Sequence, residues 1–420
     1  MRKRNLRVLC IVAVVAALLA LATGGAGAQE RRGDQGPGDS GEPLAAAVAA
    51  YQRAYPRMSE EAAKAAAEQQ DARKKLYDEV LGRYEKSFGG AWFDPPSGIL
   101  HVAVTDREVG ELAQRYGAEL GIKVQTHQVE HSFGELQAKA ERLGRGEGTL
   151  GKAARGQVGI SVERNSVVVA VPEQLLGKLA EEARKLDVVL IADPKADVEA
   201  DVCTSRSSCD TTLRSGVRLW RTFVGNDVCS LGFTARNAAN QRRVYTAGHC
   251  SNGNGVTWGT GPTTIGTMQT SFDWWAYDAA VITVTHWLHA LLNDGQIYNE
   301  FFPGRTVPNV YSAPTWSYIW AGDHVCLSAN YTQPNGFNFC GVVDSTSDPA
   351  VRGMVRVVGL DACGGDSGGG WYWLTSAGSR VAFGLHSRSN SGCHGSLGGN
   401  TSWFSPTPIN DALFGLDIET

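Results

Sequence analysis

The chain has 420 residues and nearly balanced charge, 39 Lys and Arg against 43 Asp and Glu, formally −4 at pH 7. That balance excludes a basic nucleic-acid binder, and the length leaves room for more than one domain. The 9 cysteines make redox compartment the next question.

Arg2, Lys3, Arg4 and Arg7 precede an apolar run from Val8 to Ala22, and Ala26-Gly27-Ala28 offers small residues for cleavage. Residues 1–28 therefore read as a secretory signal peptide, its core shorter than the roughly 20 residues of a membrane helix. Cys10 lies inside that core, which speaks against a lipoprotein site. No later segment is apolar enough to span a bilayer, so a secreted, extracellular protein without a membrane partner is expected. The other eight cysteines, Cys203, Cys209, Cys229, Cys250, Cys326, Cys340, Cys363 and Cys393, all lie beyond residue 202. An even set in an exported chain implies disulfides. Short C-x-x-C clusters are absent, so neither a metal nor another cofactor is expected.

Composition changes near residue 200. Lys195 is the last lysine; residues 203–420 hold 12 arginines and 14 acidic residues, and ten of the eleven tryptophans follow residue 200. Residues 29–43 are polar and glycine-rich, a disordered lead. From Leu44 to about Glu85, alanine and charge at helical spacing predict helices interrupted at Pro56. Ile99–Val104 reads as a strand, Glu108–Tyr116 as a helix, Ile122–Val129 as a strand and Phe133–Leu143 as a helix. Gly159–Glu163 and Val167–Pro172 form a hairpin turned at Asn165-Ser166. A helix over Leu175–Leu186 and a strand over Val188–Ala192 complete an α+β unit, residues 44–198. His127 and His131 fall on a strand and a loop there, an arrangement expected of surface residues and not of metal ligands.

Beyond 199 helical periodicity nearly vanishes. Val217–Val224, Ser230–Ala235, Val244–Thr246, Ala279–Val284 and Val381–His386 read as strands, with one closing helix over Pro408–Phe414. The expected fold is all-β, two six-stranded antiparallel barrels over about 213–310 and 311–420.

Two motifs in this region carry chemistry. Thr246-Ala247-Gly248-His249-Cys250 is followed, 118 residues after the histidine, by the serine of Gly365-Asp366-Ser367-Gly368-Gly369. A serine hydroxyl is a poor nucleophile unless an imidazole takes its proton, and that imidazole needs a carboxylate to fix its tautomer. Ser367 is the nucleophile candidate and His249 the base. Asp278 is the chosen carboxylate because it opens an apolar strand, Tyr277 to Ile282, that can bury it; Asp273 and Asp294 are rivals. Glycines around Ser367 allow the amides of Gly365 and Ser367 to turn inward as an oxyanion hole. An α/β esterase would carry G-x-S-x-G after a strand, which does not fit an all-β region. His286 and His289 flank Trp287-Leu288 and are expected to pack, not to ligate a metal.

These motifs resemble the chymotrypsin-like serine peptidases, specifically the bacterial streptogrisin and α-lytic protease branch. Phe88-Gly89-Gly90-Ala91-Trp92-Phe93-Asp94 and Val102-Ala103-Val104-Thr105-Asp106 resemble that branch's pro-region. The resemblance implies a precursor whose pro-region, 44–198, is foldase and inhibitor of its own peptidase domain, 199–420. It also implies protein or peptide substrates and a monomer, with maturation between Ala192 and Arg214. By motif, Ser387 would support the buried aspartate. The implied disulfides are Cys229–Cys250, Cys326–Cys340 and Cys363–Cys393, leaving Cys203–Cys209.

Two points stay open. No Ile-Val-Gly-Gly start exists to organise Asp366, and Leu327 stands where this branch carries an arginine, leaving Arg352 or Arg356 as substitutes. In the pocket, Asp361 has the spacing that favours a basic P1 residue. Yet His386 and Ser389, with Ser402 beside them, match positions of glutamate-specific relatives. Basic P1 is the leaning expectation and acidic P1 the alternative, with a catalytically inactive binding relative as the rival from another class.

Overall fold

The computed structural model describes residues 41–192, 199–200, 213–221, 228–251, 253–260, 263–286, 297–298, 306–307, 310–330, 340–360, 362–375, 379–390 and 401–419. The signal peptide lies outside them, as do Cys203, Cys209, Asp294, His289, Asp361 and Cys393. No helix among the described residues is long and apolar enough to cross a membrane.

Helices α1 (Gly41–Ala54), α2 (Glu60–Glu68) and α3 (Gln70–Glu79) lead the chain, the first ending before Pro56 as the sequence predicts. Ser59 caps α2 by accepting from the Ala62 amide. Strands β1 (Phe88–Asp94), β2 (Ile99–Val104) and β3 (Lys123–Gln128) form one sheet, with α4 (Arg107–Glu119) crossing over between β2 and β3. Then come α5 (Phe133–Gly144), α6 (Gly148–Ala154), the hairpin β4 (Val158–Ser161) and β5 (Ser166–Val171), α7 (Leu176–Lys185) and β6 (Val188–Ala192), parallel to β5. Asn165 makes the hairpin's left-handed turn at φ 49°, a conformation asparagine tolerates. The sequence pattern missed two of these elements. In β1 two adjacent glycines and a bulge between Phe88 and Gly90 hide the alternation, and α6 spans only seven residues.

A two-residue strand β7 (Glu199–Ala200) precedes the β-rich half. Its first sheet contains β8 (Arg218–Arg221), β9 (Val228–Ser230), β10 (Thr234–Asn237), β11 (Arg242–Thr246), β12 (Thr257–Thr260), β13 (Thr263–Trp274) and β14 (Tyr277–Val284). The short pair β15 (Ile297–Tyr298) and β16 (Thr306–Val307) follows. The second sheet contains β17 (Val310–Ser312), β18 (His324–Ser328), β19 (Cys340–Asp348), β20 (Met354–Val358), β21 (Gly370–Leu374), β22 (Arg380–Ser389) and β23 (Thr401–Pro406). Pairing of β23 with both β20 and β22 closes six of these strands into a barrel. The first sheet is a curled half-barrel. Helix α8 (Thr407–Phe414) then returns the chain so that β24 (Leu416–Ile418) joins β10 of the first sheet.

The apolar interior is unevenly shared. Leu219, Leu231, Val244, Trp258, Met268 and Ile282 form a separate core inside the first sheet. The pro-region and the second barrel share one continuous core, from Tyr51, Leu76 and Phe88 to Trp316, Trp320, Val342 and Phe383. Close approach seals this join. Gly322 sits at φ +89°, and a Cβ there would lie 2.2 Å from the Phe93 carbonyl oxygen.

Candidate active site

His249 lies in a single turn at the end of β11, directly beside β14. Asp278 is the second residue of β14, and strand pairing with β11 and β13 removes it from water entirely. Its Oδ1 accepts the His249 backbone amide at 2.8 Å, and its Oδ2 lies 2.8 Å from His249 Nδ1. His249 Nε2 lies 2.8 Å from Ser367 Oγ. Ser387, on β22, donates its hydroxyl to the same Asp278 Oδ2. Gly248 permits this closeness: a Cβ there would meet the Phe272 carbonyl oxygen at 1.9 Å.

Burial alone would raise the Asp278 carboxyl and depress the His249 imidazole. Their mutual attraction and hydrogen bond outweigh it, with Arg388 and Ser387 also favouring the carboxylate. Asp278 is held well below the usual carboxylate range and His249 is raised above an ordinary histidine.

The Ser367 loop is fixed by its own backbone and by β9. The Asp366 amide donates to the Cys363 carbonyl at 3.0 Å, and the Gly368 amide to the His386 carbonyl at 2.8 Å. The Ser230 hydroxyl donates to the Gly365 carbonyl and the Ser230 amide to the Ser367 carbonyl, at 2.8 and 2.7 Å. Gly365 and Gly368 adopt φ of 101° and 86°, conformations that favour glycine. Asp366 is fully buried, and its Oδ2 accepts the Cys363 amide at 2.8 Å. The two arginines considered as its partners are engaged elsewhere: Arg352 with Asp273, Arg356 with Asp344 and Asp348. Asp273, the rival carboxylate, also meets Arg388 at 3.3 Å; it acts on His249 only through its charge, whereas the hydrogen bond to the imidazole is made by Asp278.

His386, Ser389 and Ser402 are all buried on β22 and β23. Trp371 Nε1 donates to His386 Nδ1 at 3.3 Å, and the Ser402 hydroxyl donates to the Leu360 carbonyl at 3.3 Å. Cys229–Cys250 and Cys326–Cys340 are disulfides, and Cys363 is bonded as well. Among the histidines considered as ligands, His127 Nε2 lies 3.0 Å from His101 Nδ1, and His131 Nε2 lies 2.7 Å from Asp187. The described residues contain no cluster of three or more metal-ligating side chains.

Sequence reasoning missed the neighbours that cover this site. Between β13 and β14, Trp275 and Ala276 form a turn, with Trp275 at φ 45°. The pro-region packs on it: Tyr277 donates to Glu141 of α5 at 3.4 Å, Arg145 just past α5 lies over Trp274, and Trp275 donates to the carbonyl of Val158 on β4 at 3.1 Å. Further on, β7 runs antiparallel to the end of β22, pairing Ala200 with Arg388 and Glu199 with Ser389. The run of aromatics at 274–277 was the one available signal for an exposed docking turn.

A buried Asp–His pair reaching a serine on a glycine-framed loop, set between a curled β-sheet and a closed β-barrel, is the constellation of serine-nucleophile hydrolases on a chymotrypsin-like scaffold. Residues 60–119 match the family model described as alpha-lytic protease pro N-terminal. That match agrees with the resemblance of the chain to the streptogrisin and α-lytic protease type, pro-region included. No curated protein matches the chain. Among solved structures, the chain is similar to Nocardiopsis protease (24% identity, TM-score 0.38, covering 50% of this chain and 100% of that one). It is also similar to Thermobifida fusca protease A (27%, 0.38, 50% and 99%) and to Cellulomonas bogoriensis chymotrypsin (25%, 0.35, 49% and 98%).

Proposed function

We propose that the protein is a secreted serine endopeptidase made as a self-processing precursor. The observation that carries this reading is the continuous hydrogen-bonded line from Ser387 through Asp278 and His249 to Ser367. In it His249 takes the proton of Ser367 as the hydroxyl attacks a peptide carbonyl, then returns it to the leaving amine. Asp278 holds the imidazole tautomer and stabilises its cation. The amides of Gly365 and Ser367 receive the oxyanion, an arrangement worth about 3–4 kcal/mol per donor in such enzymes. Water then releases the acyl group from Ser367.

Residues 44–198 act as foldase and inhibitor of the domain over 199–420. Two contacts support inhibition: α5 covers the turn next to Asp278, and β7 occupies the edge of the strand that carries Ser387. A chain segment paired there is the first substrate in this reading, with the maturation cut between Ala192 and Arg214. For outside substrates, Asp361 favours basic P1. His386, whose Nδ1 accepts from Trp371 and whose proton therefore sits on Nε2, is the residue that favours acidic P1.

The test is secretion of the full chain and of its Ser367→Ala variant, followed by intact mass, a fluorophosphonate label and a peptide library. A labelled fragment of roughly the mass of residues 201–420 is expected from the parent, and an uncut, unlabelled chain from the variant. Self-cleavage persisting in the variant rejects Ser367 as nucleophile. Cleavage of the library after Lys and Arg, or after Glu and Asp, decides the P1 reading.

A further inference from the structure

The second barrel contains a charge it cannot neutralise with a lysine of its own. Asp323, in the turn before β18, is fully buried. Its Oδ2 accepts the Trp320 amide at 2.9 Å, and its Oδ1 has no hydrogen-bond partner among the described residues. Residues 203–420 contain no lysine. The cation comes from the pro-region: Lys74, on α3, is 1% exposed and places Nζ 2.5 Å from Asp323 Oδ2 and 2.6 Å from the Tyr318 carbonyl oxygen. Three rings surround the ammonium, those of Trp320, Tyr318 and Phe383 at 4.0, 4.8 and 5.7 Å from Nζ. A carboxylate with an aromatic wall is the chemistry that recognises ammonium groups.

We propose that Asp323, Tyr318, Trp320 and Phe383 form a receptor for a primary alkylammonium, and that Lys74 filling it is the main polar anchor of the pro-region on the second barrel. The proposal rests on residues 44–198 being a removable pro-region. The rest of α3 aims the lysine. Gln70 exchanges two bonds with the His324 backbone, at 3.2 and 2.8 Å, and Tyr77 lies 2.7 Å from the Thr315 hydroxyl. Arg73, the neighbouring cation, turns away to the Ala66 carbonyl and lies over Phe93, inside the pro-region. Removing the pro-region withdraws the ammonium and leaves the Asp323 carboxylate without its cation, an unfavourable change. Tight retention of the cleaved pro-region follows.

The experiment uses the full chain carrying Ser367→Ala, its intact mass checked first, so that a failure of the triad reading appears as cleavage and is distinguished from a failure of the receptor. Adding Lys74→Ala removes three carbons and the ammonium, the shape of n-propylammonium. The thermal midpoint should fall by about 5–10 °C. It should then rise saturably with n-propylammonium chloride, and not with n-propanol or sodium chloride. Adding Asp323→Asn should abolish that rise. Equal rescue by propanol, or rescue that survives Asp323→Asn, overturns the receptor. Should Lys74→Ala not accumulate, Lys74→Met is compared with Lys74→Met/Asp323→Asn. Recovery of folded yield in the double variant to at least half the parental level supports the charge pairing, and a yield no better than that of Lys74→Met overturns it.

Discussion

The two halves of the chain solve stability in different ways. Residues 44–192 are lysine-bearing and cysteine-free, and rest on helices and two small three-stranded sheets. Residues 203–420 lack lysine, carry disulfides and rest on non-local strand pairing. Long-range β pairing must close large loops before its contacts form, so it folds slowly, whereas local α+β contacts form early. The shared core teaches why both belong to one precursor. The first sheet has an interior of its own, but the second barrel's interior continues into the pro-region. On the proposed foldase reading, an early-forming surface would stand ready against the slower barrel.

This contrast makes a sharp demand: changes at the triad should alter turnover and spare folding, while changes at the join should alter folding and spare turnover. Asp278→Asn should produce the largest effect, a loss of about 10⁴-fold in kcat, with near-UV circular dichroism of the precursor unchanged. A collapsed spectrum would mean that Asp278 is chiefly structural. Replacing both Cys326 and Cys340 by Ala should cost about 2–5 kcal/mol in chemical denaturation, confined to the barrel half; loss of signals from both halves together would erase the distinction. Gly144→Val should come next. A Cβ there meets the Trp275 ring at 2.5 Å, so overpacking of about 1–3 kcal/mol should lower secreted yield. Specific activity of whatever matures should stay unchanged, and a slowed kcat would place Trp275 within the chemistry.

The smallest change is one of pH. His249 must be neutral to accept a proton, and its pairing with Asp278 raises it above the ordinary histidine value of 6.5. Activity should therefore fall as pH drops, with the acid-limb midpoint of kcat/KM above 6.5. By the same linkage, the raised His249 contributes stability below the ordinary histidine value and loses it as pH rises through the folded value, whereas Asp278, held low, contributes above the ordinary carboxylate value and loses it as pH falls. A midpoint below 6.5 in initial-rate measurements would mean that the pair does not set the base.

Much of the fold was legible because patterning and punctuation agree locally. Pro56 stops α1, Asn165 turns the β4–β5 hairpin, and runs rich in Val, Ile and Ala mark β2, β5 and β14. Apolar neighbours in Tyr277–Ile282 also identified Asp278 as the carboxylate most able to be buried. What stayed hidden depends on partners far along the chain. Lys74 sits in a charged helical stretch that reads as a solvated face, and only the carboxylate of Asp323, 249 residues away, makes its burial tolerable. Arg352 and Arg356 read as candidate partners for Asp366 because sequence gives charge without direction; in the fold they meet Asp273, Asp344 and Asp348.

By itself the sequence determined the α+β and all-β division, the chemistry-bearing motifs and the resemblance they carry, since these are set by local periodicity and residue type. Tertiary structure alone decided the meeting of His249, Asp278, Ser367 and Ser387 on four separate elements, the closure of the second barrel by β23, and the seating of Lys74 within it. Each of these is a contact between segments distant in sequence, fixed by how strands pair and cores merge, and no local pattern encodes such a distance.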